Sequence, residues 1–201
     1  MTVQKQELTP QAGRESLNAP DLEVMNFIQA KSEAGQLVTS EEIFEDLVQK
    51  GTLKSEGEGG RTKLETLLKE MIKNREELKR ISGNKKDSHY YSARGMTEAY
   101  AGILIQKGED PLLLMVETIR DNSRRYPRPV RLDLFKEPPC SLSPAEIFHC
   151  LKRMAEQEQY QDIAQTTTSI GTLFLFSKLH LEVDYASMLA EWLDVGQAMN
   201  P

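Results

Sequence analysis

The segment that decides the fold of the N-terminal half is RTKLETLLKEMIKNREELKRISGNKKDSHYYS, residues 61–92. Its first part carries apolar residues at steps of three and four, which predicts an amphipathic helix that begins near Arg61 and ends near Glu76. Two short runs with the residue types of β-strands follow, Leu78–Ser82 and Ser88–Ser92, separated by a turn rich in Gly, Asn and Asp. The segment therefore predicts a helix that leads directly into a β-hairpin.

Two further helices are predicted upstream of this segment. An apolar stripe predicts the first over about residues 21–34, with Gly35 at its end. Thr39-Ser-Glu-Glu42 has the pattern of a capping box, in which the threonine hydroxyl accepts a backbone N–H while the glutamate reaches back. It predicts a second helix that ends before Gly51. Residues 37–38 form a short extended piece between the two helices.

The order of these elements, helix, short strand, helix, helix and hairpin, resembles the winged helix-turn-helix superfamily over residues 20–95. The resemblance rests on the order of the elements and on the position of the basic residues. It implies that the third helix enters the major groove of DNA and that the hairpin tip reaches the phosphate backbone or the minor groove. One departure is the loop at residues 52–60, which is longer than the tight turn of the common pattern and affects the docking angle of the third helix.

Basic residues are concentrated in the same region. The whole chain has a net charge of −6, with 25 Lys and Arg against 31 Asp and Glu. Residues 61–95 hold ten basic and five acidic residues, and the rest of the chain holds 15 and 26. A basic surface on an otherwise acidic chain is typical of a local contact with phosphate groups.

The candidate DNA-binding residues lie on the third helix and at the hairpin tip. On the helix they are Arg61, Thr62, Lys63, Thr66, Lys69 and Lys73, and at the tip Asn84, Lys85 and Lys86. Lysine suits phosphates and guanine edges, and a threonine methyl suits a thymine methyl. The alternative reading is a solvated helix face, which Glu65 and Glu70 favour, followed by an ordinary exposed turn.

The second half predicts a further small α+β domain, residues 96–201. We expect helices over 97–106 and from the Asp110-Pro111 cap to about Asn122, an irregular segment over 124–139, and a helix opened by the capping box Ser143-Pro-Ala-Glu146. A hairpin is expected over 161–166 and 172–179, then a last helix over 184–195 whose Tyr185, Met188, Leu189, Trp192 and Leu193 face inward. We find no obvious internal repeat in the sequence.

The helix that begins at Pro111 predicts a homodimer. Residues 112–116 are all apolar, and a helix that is apolar on all sides must be buried on all sides. A half-chain of about 100 residues has limited means of covering it, so a second subunit is a natural cover. The competing explanation is that this is the central core helix of one chain.

Several residue sets leave two readings open. Five arginines (Arg120, Arg124, Arg125, Arg128 and Arg131) suit either an anionic ligand or pairing with nearby carboxylates. Tyr90 and Tyr91 are adjacent on a strand and point to opposite faces, so one is core and the other stacks or covers the sheet. The two cysteines, Cys140 and Cys150, are expected to be free thiols, with Cys150 in a helix core, rather than a redox pair.

Other classes of protein have no signature in the sequence. There is no uninterrupted apolar run of membrane-spanning length and no apolar stretch like that of a signal peptide at the N-terminus, so we expect a cytoplasmic protein with no membrane contact. Residues 1–19 are expected to be a flexible tail. The phosphate-binding loops and catalytic motifs of common enzymes are missing, and the three histidines are far apart, which predicts a protein without enzymatic activity, cofactor or metal.

These observations predict a mainly α fold with small β hairpins (α+β), in which an N-terminal winged helix precedes a C-terminal α+β domain for oligomerisation or partner binding. The expected function is binding of double-stranded DNA in transcription regulation. The alternative is a protein-interaction or assembly factor that uses a winged-helix scaffold without binding DNA.

Overall fold

A computed structural model describes residues 19–53, 58–83 and 87–196. Within these ranges the chain forms seven α-helices and two three-stranded antiparallel sheets. The predicted fold class, mainly α with small β hairpins, is confirmed. The predicted tail falls almost entirely on residues 1–18, which lie outside the described residues.

The N-terminal elements follow the predicted order. They are α1 (Ala19–Glu33), β1 (Val38–Thr39), α2 (Ser40–Gln49), α3 (Glu58–Asn74), β2 (Leu78–Ser82) and β3 (Ser88–Ser92). Strand β3 lies in the middle of the sheet, between β1 and β2. The hairpin strands begin and end at the predicted residues, whereas α3 begins before Arg61 and ends before Glu76.

Local signals explain these boundaries. The Thr39 N–H donates to Glu42 Oε2 at 2.7 Å and the Glu42 N–H donates to Thr39 Oγ1 at 3.3 Å, so the predicted capping box is present. Gly35 and Gly51 have φ of 73° and 75°, the left-handed conformation that ends helices. Strand β2 pairs with β3 from Leu78 onward, and the chain needs a few residues to turn from the helix into the sheet. Helix α3 therefore ends at Asn74.

One apolar core holds this half together. Its central side chains come from all six elements, and the fully buried ones include Ile28, Ile43, Leu47, Leu68 and Leu78. The two adjacent tyrosines are both buried, on opposite faces of the sheet. Tyr90 joins this core, and Tyr91 joins a smaller cluster with Met96 and Ala101. Neither tyrosine is therefore on the surface.

The C-terminal half begins with α4 (Glu98–Glu109), the helix that connects the two sheets. It continues with α5 (Pro111–Arg125), β4 (Val130–Arg131), α6 (Pro144–Glu156), β5 (Ile163–Thr167), β6 (Leu173–Ser177) and α7 (Val183–Glu191). Short 3-10 helices cover Leu132–Lys136 and Glu158–Tyr160, and a π-type turn, Trp192–Gly196, follows α7. The capping box at Ser143 is present, with the Ser143 N–H donating to Glu146 Oε2 at 2.7 Å.

The expectation of an irregular segment over 124–139 is right for residues 126–129 and 137–139, which form neither helix nor strand, and wrong for the rest. Helix α5 continues to Arg125, β4 pairs with β6, and Leu132–Lys136 forms a 3-10 helix. Phe135 is fully buried. The prolines and arginines that suggested a loop are interspersed with apolar residues that reach the core. Burial of these apolar residues, rather than the local composition, determines the structure there.

The apolar helix α5 is the central core helix of the single chain. Leu112, Met115 and Val116 are fully buried and Leu114 is 2% exposed, although no second chain is present. Sheet β4-β6-β5, α6 and the 3-10 helix supply the cover. The packing of α5 therefore gives no reason for a dimer, and the homodimer stays a prediction without this support.

The orientation expected for the last helix is wrong for three of its five residues, whereas Leu189 packs inward as expected and Leu193 is half-buried. Tyr185, Met188 and Trp192 are 46%, 58% and 58% exposed, while the buried residues of α7 are Ala186 and Ala190. Helix α7 packs on β5. The helix is apolar on both sides, so an apolar stripe alone could not identify the buried one.

The two halves have the same topology, which the sequence did not reveal. Each sheet places its third strand in the centre, in the orders β1-β3-β2 and β4-β6-β5. The hairpins β2–β3 and β5–β6 have strands of the same length, and each position of the second lies 85 residues after its counterpart in the first. We call α1 to β3 the first unit and α5 to β6 the second unit; α4 and α7 are the helices that follow them.

Hydrogen bonds at the same places confirm this correspondence. The Ser92 N–H at the end of β3 donates to Ser32 Oγ on α1 at 2.9 Å, and the Ser177 N–H at the end of β6 donates to Ser123 Oγ on α5 at 3.0 Å. All four serines are at most 1% exposed. The expectation of no internal repeat is therefore wrong at the level of structure.

The repeat is hidden in the sequence because the two hairpins share few residues. The first reads LKRIS and SHYYS, and the second reads IAQTT and LFLFS. What they share is geometry: the Ala93 N–H donates to the Glu77 carbonyl, and the Lys178 N–H donates to the Asp162 carbonyl. Backbone hydrogen bonds leave no residue signature.

We predict that the buried serines stabilise both units. Ser32→Ala and Ser123→Ala each leave a buried backbone N–H without its acceptor and should lower the free energy of unfolding by about 1–3 kcal/mol. Urea denaturation measures this loss. The exposed Ser82→Ala is the control and should change stability by less than about 0.5 kcal/mol. Equal stability of the control and the two buried variants would contradict the prediction.

Candidate nucleic-acid interface

The outer face of α3 presents the predicted helix residues. Arg61, Thr62, Lys63, Thr66, Lys69 and Lys73 are all exposed, and the opposite side is held in the core by Leu64, Leu68 and Met71. The core residues recur at steps of three and four, so packing fixes which side of the helix faces outward. Helical steps place Thr62, Thr66, Lys69 and Lys73 on one stripe, while Arg61 and Lys63 lie to either side of it.

Acidic neighbours reduce the charge of this surface in part. Arg61 Nη2 lies 2.5 Å from Glu41 Oε1, and its guanidinium stacks over Phe44 with 5.5 Å to the ring centre. Lys69 Nζ lies 4.0 Å from Glu65 Oε2, and both side chains are more than 60% exposed. Exposed pairs of this kind contribute little and exchange readily for another anion.

The threonines have different roles from the lysines. Thr66 Oγ1 donates to the Thr62 carbonyl at 3.0 Å, a bond within the helix. Its hydroxyl hydrogen is engaged, so the group that it offers a ligand is the methyl. A methyl suits a thymine methyl in a major groove.

Strand β2 adds two basic residues that sequence reasoning missed. Lys79 and Arg80 are both exposed and follow the C-terminal end of α3, against which β2 packs. They belong to the basic stretch counted in the sequence, and that count was the available signal. The predicted tip residues Asn84, Lys85 and Lys86 lie outside the described residues.

A cleft of about 610 Å³ lies beside the hairpin, between β1, β3 and α4. It is lined by the carboxylates Glu42, Asp87 and Glu109 and by His89. The His89 Nδ1 is buried and has no hydrogen-bond partner in the described part of the chain. The acidic lining makes this cleft unsuitable for a phosphate backbone, so it is separate from the basic surface of α3.

The arginines of residues 120–131 mostly pair with carboxylates of the same chain. Arg120 Nη2 lies 2.5 Å from Asp162 Oδ1 and also donates to the Gln159 carbonyl at 2.8 Å. Arg131 reaches Asp194 at 3.5 Å, and Arg125 reaches Asp121 at 3.3 Å. Arg120 is therefore engaged in structural pairing, whereas the more exposed Arg125 and Arg131 keep both readings.

Asp162 is a nearly buried carboxylate that accepts hydrogen bonds from two side chains. Its side chain is 9% exposed and also accepts the Ser177 hydroxyl at 2.7 Å. The hydrogen bond from Arg120, helped by that from Ser177, lowers the pKa of Asp162 although burial opposes the shift. The pair fixes α5 to the loop before β5, so its role is structural.

Neither cysteine is placed for chemistry. Cys140 and Cys150 are buried free thiols in the core of the second unit, as expected. Burial raises the pKa of both thiols, which lowers the fraction of reactive thiolate. In residues 19–53, 58–83 and 87–196 no group of three or more His, Cys, Asp or Glu is arranged to hold a metal ion. No helix within those ranges is long and apolar enough to cross a membrane.

Comparison with known proteins concerns mainly the second unit. Residues 109–198 match the family described as the YdhW C-terminal domain, a range that contains α5 to α7. The "Uncharacterized protein YdhW" of Escherichia coli (strain K12) is 32% identical over 117 residues, or 58% of this chain. The match covers 54% of that relative, so the chain spans about half the length of the curated relative that it matches.

We predict that Asp162→Asn destabilises the chain in a pH-dependent way. At pH 7 the loss of charged hydrogen bonds from Arg120 should cost about 1.5–3 kcal/mol of unfolding free energy. Because the pKa of Asp162 is lower in the folded chain than in the unfolded one, its contribution is complete above the unfolded value of about 3.9. It is lost as the pH falls through the folded value.

Urea titrations of the wild type and the variant at pH 7, 5 and 3 measure this difference. It should be equal at the first two and smaller at the third. Asp133→Asn removes an exposed pair with Lys136 and is the control, with a loss of less than about 1 kcal/mol. A difference for Asp162→Asn that does not shrink at low pH would show that the carboxylate charge is not responsible.

Proposed function

We propose that the chain is a DNA-binding protein of the winged-helix type that acts in transcription regulation. The observation that carries the proposal is the exposed stripe Thr62, Thr66, Lys69 and Lys73 on α3, the helix immediately before the hairpin. The element order α1-β1-α2-α3-β2-β3, with β3 in the centre of the sheet, supports it. A helix so placed suits a major groove, with the hairpin beside the flanking backbone.

The charge distribution supports the same proposal. Arg80 lies on the same face of β2 as Leu78, which packs in the α3 core, and extends the basic surface, whereas Lys79 lies on the opposite face. Lys85 and Lys86 of the tip add basic charge in sequence. The excess of acidic residues lies in the rest of the chain, with 26 acidic against 15 basic residues, which directs a phosphate backbone towards this one surface. We further propose a cytoplasmic homodimer without enzymatic activity, which would present two such surfaces to a palindromic site.

The alternative function is a protein-interaction or assembly factor. The exposed apolar residues of α7, Tyr185, Met188 and Trp192, favour it, because monomeric proteins rarely leave such residues together at the surface. The acidic neighbours Glu65 and Glu70 on α3 also favour it, since they weaken the field at the basic stripe. The two functions differ in whether duplex DNA binds with a salt-dependent affinity.

We predict that the double variant Lys69→Ala, Lys73→Ala weakens DNA binding without unfolding the chain. Fluorescence anisotropy with a labelled 30-base-pair duplex, titrated at several salt concentrations, measures affinity and salt dependence. Each lost phosphate contact flattens the slope of log affinity against log salt by about 0.9, so the double variant should flatten it by about 1.8. Lys85→Ala with Lys86→Ala should act in the same way.

A matched control exists on the second unit. Lys152 is exposed on α6 and lies 3.8 Å from Glu156, much as Lys69 faces Glu65 on α3. Lys152→Ala should leave both the affinity and the slope unchanged. If both double variants bind like the wild type, or if the wild type shows no salt-dependent binding, the DNA proposal is wrong and the interaction function is favoured.

A further inference from the structure

Helix α7 carries large apolar side chains on the face that points away from the chain. Tyr185, Met188 and Trp192 recur at steps of three and four, so they lie on one stripe opposite the buried Ala186 and Ala190. Exposed single hydrophobic residues are common, but three on one short helix are not. The neighbouring Leu179 and Val183 are also exposed, at 69% and 51%.

The repeat shows what this face does in the first unit. A shift of 85 residues places Tyr185, Met188 and Trp192 at Tyr100, Ile103 and Lys107 of α4. Ile103 packs against the core of the second unit, and Lys107 Nζ donates to the Ser141 carbonyl in that unit at 3.1 Å. Tyr100 instead packs against the cluster of Tyr91 and Met96. Two of the three positions on this face of α4 therefore contact the following unit.

On α7 the same face has no following unit among the described residues. It is also more apolar than its counterpart, because Met188 and Trp192 replace Ile103 and Lys107. We propose that a second copy of this chain covers it, with α7 packed against α7 of the other copy across a two-fold axis. The proposal gives the predicted homodimer a surface other than α5.

A head-to-tail arrangement fits the residues less well. In it the α1 helix of a second copy would take the place that α5 occupies beside α4. The serine correspondence aligns Leu114 of α5, which is 2% exposed, with Glu23 of α1. Glu23 accepts a hydrogen bond from the Thr52 hydroxyl within its own unit, so α1 carries a charged residue at a position where α5 carries a buried leucine.

The size and charge of the face suit a two-fold dimer. Three such side chains bury roughly 300 Å² when covered, enough for the apolar centre of an interface that buries about 800 Å² on each subunit. Two of the nearby carboxylates are already engaged: Glu191 accepts hydrogen bonds from Ser169, and Asp194 pairs with Arg131. A two-fold axis near Met188 places the two copies of Asp184 at opposite ends of the contact.

Sedimentation equilibrium of the full chain without DNA tests this inference. The wild type should approach twice 22.8 kDa at micromolar concentration. Met188→Glu places a charge in the centre of the contact and should raise the dissociation constant at least tenfold. Phe148→Glu is the control: Phe148 is 70% exposed on α6, outside the face, and its substitution should leave the dimer unchanged.

Each other outcome overturns the inference. A wild-type mass of one chain at all concentrations excludes the second copy, and a dimer that Met188→Glu does not weaken lies on another surface. Masses that grow beyond two chains would indicate head-to-tail association. Far-UV circular dichroism and thermal unfolding verify that Met188→Glu is folded, and Trp192→Lys provides a second variant at the same face. Because no DNA is present, the result is independent of the lysine experiment.

Discussion

In each unit a buried serine near the end of the first helix accepts the backbone N–H of the last residue of the central strand. This contact joins the first and the last element of the unit. The hydrogen bonds of Ser92 to Ser32 and of Ser177 to Ser123 have nearly equal N···O distances of 2.9 and 3.0 Å. A side-chain oxygen is needed there because the N–H is buried and the strand has ended. The hairpin is thereby held at a constant position relative to the first helix.

The exposed surface of α3 depends on that constraint. Leu68 on α3, Leu78 on β2 and Ile28 on α1 belong to one core, so the hairpin cannot shift without moving the helix before it. The six candidate residues of α3 face outward because the apolar side of the helix is fixed by this packing. In the second unit the same frame holds α6, whose outer face carries Lys152 beside Glu156. The two units therefore share one arrangement of helices and strands but expose different side chains on α3 and α6.

Much of the first unit could be predicted from sequence because local signals decide it. The capping box at Thr39 and the alternation of turn and strand residues around 83–87 act within a few residues, and they placed α2 and the hairpin correctly. The exposure of the α3 residues also followed from helical periodicity. The missed basic residues Lys79 and Arg80 were visible in the charge count but not in any motif.

The rest could not be predicted because it depends on distant contacts. Strand β4 has two residues, and only its pairing with β6 identifies it. The fully buried residues of α7 are alanines, which are weak signals beside Tyr185, Met188 and Trp192. The duplication itself resides in backbone hydrogen bonds and strand order, which very different residues can satisfy. The winged-helix assignment and the DNA-binding residues stay predictions.

The position of α4 has a consequence for how the chain unfolds. Ala101 of α4 packs with Tyr91 of the first unit, while Ile103 packs on the core of the second, so one helix contributes to two otherwise separate cores. Unfolding of either core removes part of the packing contacts of α4. The helix then packs less firmly against the other core. Thermal unfolding of the two halves is thereby coupled, and the chain should unfold in one cooperative transition rather than in two independent ones.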